Sequence, residues 1–86
     1  MKLILFSVRD EKVEAFLPLI QARARGEATR MFVQACTTAD HQFAKAAGDY
    51  TLYELGVFDD VSGQVVSNSE PLRIMNGFEA LEASKA

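Results

Sequence analysis

A chain of 86 residues with nine basic and twelve acidic side chains, net charge −3, has room for one domain. That balance argues against a protein that coats nucleic acid by charge alone, because each phosphate contact calls for a Lys or Arg. The 49% apolar and 24% charged composition is that of a folding chain, and the single cysteine, Cys36, excludes an internal disulfide.

The first element is the apolar and aromatic run from Lys2 to Val8, closed by the charged turn Arg9-Asp10-Glu11-Lys12. It is too short for a signal-peptide core and lacks a small-residue cleavage pattern, so it is expected as a strand, central because both of its faces are apolar. Val13, Phe16, Leu17 and Ile20 fit helical spacing, yet Pro18 would fall inside that helix. An extended or edge-strand segment over 15–21 is therefore favoured. From Gly26 to Thr38 a helix is expected, with Ala28, Met31, Phe32, Ala35 and Cys36 forming its apolar stripe. Asp40 can cap a second short helix running through Phe43 to Ala47, ended by Gly48.

Residues 50–58 alternate as a strand, and Tyr53, Leu55 and Val57 make its better core face. Asp59-Asp60-Val61-Ser62-Gly63 is turn chemistry, so Gln64 to Ser67 is expected to return as a hairpin partner, with Pro71 to Met75 as a further short extended piece. Asn76 followed by Glu79 resembles a capped helix start, giving a terminal helix over 77–83. The fold class is α+β: a small mixed or antiparallel sheet of about four strands against one main helix, in the order β-β-α-β-β, with a short C-terminal helix.

No catalytic or metal site is expected. Cys36 lies on an apolar stripe, His41 is the sole histidine, and one Cys with one His does not supply a metal's ligand set. The carboxylates Asp49, Asp59 and Asp60 stand where turns want them. No cofactor motif is present, and no apolar run reaches the roughly 18 residues of a membrane span, so a cytoplasmic location is expected. Binding is what remains, and the charge distribution suggests two partners. Residues 1–45 hold seven basic side chains against five acidic ones, whereas residues 46–86 hold two against seven.

In the first half, Arg23, Arg25 and Arg30 surround the start of the main helix and, with Lys12, could contact phosphates. Aromatic rings beside them would stack on unpaired bases. Among Phe6, Tyr50, Tyr53 and Phe58, the better exposed candidates are Tyr50 and Phe58. In the second half, Glu54, Asp59 and Asp60 offer an acidic surface to a protein partner. A chain this short buries only about 60–65% of its unfolded surface, which makes self-association, as a homodimer, a further expectation.

MKLILFSVRD, the proline before the helix, RGEATRMF, HQF and above all DYTLYELGVFDDVSG resemble the small nonstructural protein of gokushovirus-type microviruses, phages with single-stranded DNA genomes. The resemblance covers roughly residues 1–75. It implies a protein absent from the virion and acting in the bacterial host cytoplasm, binding single-stranded DNA or assisting genome replication and single-strand synthesis. The alternative is an acidic interaction module that regulates the phage replication initiator or a host replication factor. The resemblance supplies no set of functional residues, so the candidates are those drawn from charge and aromatic placement.

Overall fold

The N-terminal apolar run forms β1, Lys2–Asp10, in the computed structural model, which describes residues 1–85. β1 is central, as its two apolar faces require. On one side it pairs antiparallel with β4, Tyr50–Asp59, and on the other with two short strands, β2 (Ala15–Phe16) and β3 (Ile20–Ala22). Pro18 explains the division into two: it has no N–H to give a ladder and falls between them. The Leu17 N–H still reaches the Val8 carbonyl at 2.8 Å, and Ser7 Oγ donates to the Leu17 carbonyl at 2.6 Å. Extended structure thus wins over helical spacing in this segment.

The sheet order is β2-β1-β4-β5, with β3 also on β1, and every pairing is antiparallel. The fold is therefore the expected α+β arrangement, with five strands where about four were expected. The two extended pieces read at 64–67 and 71–75 are one edge strand, β5, Val65–Asn76. Its register jumps from Ser67 opposite Gly56 to Leu72 opposite Glu54, so residues 68–71 bulge outward, and Asn68 Nδ2 donates to the Glu54 carbonyl at 3.1 Å. Pro71 is tolerated because it lies in this bulge on an edge, which also blunts the edge against pairing with other chains. The connecting turn closes through Gly63, whose φ of 77° is the left-handed conformation glycine favours.

Among the described residues, all helices lie on one side of the sheet: α1 (Arg25–Cys36), α2 (Gln42–Lys45) and α3 (Gly77–Ser84), with a 3-10 turn at Ala47–Asp49. Phe6, Val8 and Leu52, each 0–1% exposed, meet Ala28, Phe32 and Cys36 of α1. Fully burying such large side chains contributes about 1.5–3 kcal/mol apiece. Met31 departs from the expected stripe and is 48% exposed, because it sits at the margin of the buried face. The cap of α2 is His41 and not Asp40: its Nδ1 accepts the Phe43 N–H at 3.1 Å. α3 starts with the expected capping box, Asn76 and Glu79 each accepting the other's backbone N–H at 2.9 Å.

The core face of β4 is the reverse of the expected one over residues 50–54, whereas Val57, paired with Ile4, stays on the helix side as expected. Leu52 is fully buried and Tyr50 is 9% exposed, packed 4.6 Å from the Phe43 ring, whereas Tyr53 points away from the helices. A bulge at Leu55 causes this. Leu5 pairs with Gly56 and Phe6 with Glu54, so Leu55 is skipped and the alternation changes phase midway along the strand. Hence Tyr50 and Leu52 face the helices, and Thr51, Tyr53 and Phe58 share the helix-free face.

Candidate nucleic-acid interface

Cross-strand register assembles the helix-free face row by row. Arg9 of β1 stands between Phe16 of β2 and Thr51 of β4; the next row runs from Ser7 through Tyr53 to Arg73 of β5. The Phe16 and Tyr53 rings meet edge to face with centroids 5.4 Å apart, and the Arg9 guanidinium lies 5.8 Å from the centre of the Phe16 ring. Both contacts hold aromatic faces in fixed orientation at a surface where Phe16 remains 42% exposed.

Glu11 ties the rows together. Its carboxylate pairs with Arg9 and accepts hydrogen bonds from Thr51 Oγ1 at 3.0 Å and Tyr53 Oη at 3.4 Å. Desolvation pushes the Glu11 carboxyl up, but the bonds from Arg9, Thr51 and Tyr53 together outweigh it and leave its pKa below the usual value. Arg73, at the far end of the row, pairs with Glu79 at the start of α3; this raises the pKa of the guanidinium and lowers that of the carboxyl. Two cations, two rings and a hydroxyl therefore stand on one side of the sheet, with Lys12 exposed in the adjoining β1–β2 turn.

The residues singled out from sequence are distributed differently. Tyr50 is a core residue, so its expected exposure is corrected: the register that turns Tyr53 outward turns Tyr50 inward. Arg25 donates from Nε and Nη2 to Glu54 Oε1 at 3.1 and 2.9 Å, and it opens α1, on the helix side of the sheet. Arg30 is exposed on the same helix. Arg23 is exposed just past β3, its backbone N–H held by Glu27 Oε1 at 3.1 Å. Phe58 is half-buried on the helix-free face, opposite Leu3 and Val65. Of the nominated set, Lys12 lies in the turn beside the aromatic rows and Phe58 shares their face farther along β4, while Arg25 and Arg30 lie on the helix side.

The acidic set is engaged within the molecule. Glu54 holds Arg25, Asp59 Oδ1 accepts the Val61 N–H at 2.9 Å, and Asp60 pairs with the Met1 amine at 2.7 Å. The turn amide holds the Asp59 pKa down, and Asp60 raises that of the amine. Elsewhere, burial pushes the Cys36 thiol up. Among the described residues no three His, Cys, Asp or Glu side chains stand together as a metal ion would need, and no helix is long and apolar enough to cross a membrane.

Arg9, Phe16 and Arg73 were not legible as site residues. Arg9 looks like part of a turn, Phe16 like part of a helical stripe, and Arg73 like an isolated charge in an acidic half. Its place on the outward face follows from its pairing with Tyr53, between two register shifts of β5 that no local pattern marks.

Residues 3–80 match the family model described as Phage ORF5 protein. The chain belongs to this phage family. The matched span starts inside β1 and ends inside α3, so the ORF5 family unit contains every strand and both sheet faces. No curated protein and no solved structure matches the chain.

Proposed function

We propose that this ORF5 family member is a nonstructural protein of a gokushovirus-type microvirus that binds single-stranded DNA in the host cytoplasm and assists genome replication or single-strand synthesis. The observation that carries the proposal is the Phe16–Tyr53 ring pair flanked by Arg9 and Arg73 on the face no helix covers. Unpaired bases stack on such rings for about 1–3 kcal/mol each, independent of sequence, while the guanidinium groups and Lys12 follow the phosphates. The acidic surplus does not oppose this, because Glu54, Asp59 and Asp60 are matched by internal partners.

A chain of net charge −3 makes few phosphate contacts. Three or four cations imply a slope of log affinity against log salt of roughly −2 to −3 for single strands. Fluorescence anisotropy of a labelled oligonucleotide between 50 and 200 mM salt reads that slope directly. Binding that weakens along it and falls when Tyr53 or Phe16 is changed to Ala supports the platform. No binding at low salt, or binding unaffected by both substitutions, overturns it.

A further inference from the structure

Both arginines that flank the ring pair are already engaged. Arg9 Nη1 donates to Glu11 Oε1, and Arg73 Nη2 donates to Glu79 Oε1. We propose that Glu11 and Glu79 are built-in competitors of DNA phosphate, so that a strand engages Arg9 and Arg73 only by displacing the two carboxylates. The inference rests on the DNA-binding proposal above and adds to it a limit on affinity set by the protein itself.

Each carboxylate is anchored by contacts that do not involve its arginine. Glu11 Oε2 accepts from Thr51 Oγ1 at 3.0 Å and from Tyr53 Oη at 3.4 Å, which leaves Oε1 for Arg9. Glu79 Oε1 also accepts the Asn76 N–H at 2.9 Å, within the capping box of α3. Both acids therefore remain beside the cations when an incoming anion arrives. A guanidinium presents the same planar fork of donors to a phosphate as to a carboxylate, so the two anions compete for one set of N–H groups. The Arg9 guanidinium keeps separate support near the Phe16 ring, 5.8 Å from its centre, and stays in place when its partner changes.

Exposure makes the exchange feasible. The Arg9–Glu11 side chains are 30% and 33% exposed, and those of Arg73 and Glu79 are 49% and 51% exposed. Pairs this open to water hold together by a factor of only about two to five, enough to weaken a ligand without excluding it. The two competitors also act separately. Arg9 stands opposite Thr51 and Arg73 opposite Tyr53, with β4 between them. At about 4.8 Å per strand and 3.3 Å per residue their backbones are roughly 12 Å apart, far enough for the two effects to add.

The test measures anisotropy of labelled oligo(dT) at low salt with variants that remove charge but keep an acceptor oxygen. Glu11→Gln retains an acceptor for Thr51 and Tyr53, and Glu79→Gln retains the capping box, in which Gln serves as well as Glu. Each should tighten binding by about two- to fivefold, and the double variant by roughly the product. Glu14→Gln is the control for net charge. Glu14 lies in the β1–β2 turn and forms no ion pair among the described residues, so its substitution should change affinity little. Arg9→Ala should cancel the gain from Glu11→Gln in a double-mutant cycle. Unchanged or weaker binding by either Glu→Gln variant overturns the competition and leaves the aromatic platform standing. So does a gain no larger than that of Glu14→Gln, or one that survives Arg9→Ala. Failure of the wild type and of both variants to bind overturns the platform, and the competition with it.

Discussion

Phe16 and Tyr53, drawn from opposite halves of the chain, meet edge to face at 5.4 Å on the side of the sheet that no helix covers. The proposed function assigns this half-exposed pair to stacking on unpaired bases. Phe16→Ala and Tyr53→Ala should therefore each lower single-strand affinity by roughly 5- to 150-fold, the span of about 1–3 kcal/mol per stacked base. Tyr53→Phe keeps the ring and should retain most of it. Titrations of the three variants against one oligonucleotide decide the matter.

Arg25→Ala gives the opposite expectation. Its guanidinium is engaged by Glu54 on the helix side, and the pair is 55% and 17% exposed. The substitution should leave DNA affinity within about twofold. It should cost no more than about 1 kcal/mol, as exposed ion pairs usually do. A large loss of affinity would return the interface to the start of α1.

The core should respond far more strongly than either face. Leu52 is fully buried beneath α1 and leaves a cavity when shortened, so Leu52→Ala should cost about 2–5 kcal/mol. At about 4–8 °C per kcal/mol for a domain of this size, the melting temperature should fall by at least 8 °C. Leu19→Ala, on a side chain 63% exposed, should move it little. Thermal melts followed by circular dichroism compare the two.

Two glycines in helices should behave oppositely. A Cβ on Gly77 would overlap the Ala47 carbonyl, whereas a Cβ on Gly26 meets nothing within 4 Å. Gly26→Ala should therefore stabilise, by up to about 1 kcal/mol, through helix propensity and a less flexible unfolded chain. Gly77→Ala should destabilise despite the same propensity gain, because α3 must move off the 3-10 turn. Urea unfolding of both variants checks the sign.

Acid should weaken the fold through Glu11. Its folded pKa lies below the ordinary glutamate value, so the stability it contributes is complete above that ordinary value and is lost as pH falls through the folded one. Asp59 and Glu79, also depressed, act in the same direction. Melting temperatures should hold between pH 7 and 5 and drop below about pH 4.5. Glu11→Gln should lower the plateau and shallow that drop.

Local chemistry was enough to place most elements of this protein. An apolar run broken only by Ser7 made β1 central, Pro18 disfavoured a helix across 15–21, an i, i+3, i+4 stripe made α1, and Asn76 with Glu79 started α3; each depends on residues close in sequence. Only the tertiary structure decided which side of β4 faces the core. That choice depends on Leu55 being skipped against both β1 and β5, a consequence of pairing between distant strands that no local pattern encodes. It reversed Tyr50 and Tyr53, and with them the candidate site. Arg73, far in sequence from Arg9 and Phe16, joins their face only through Tyr53, once β4 lies between β1 and β5. Charge counted along the chain pointed to Arg25, Glu54 and Asp60; folding matched each of these to a partner, as it matched Arg9 to Glu11 and Arg73 to Glu79, and left the Phe16 ring exposed beside Tyr53.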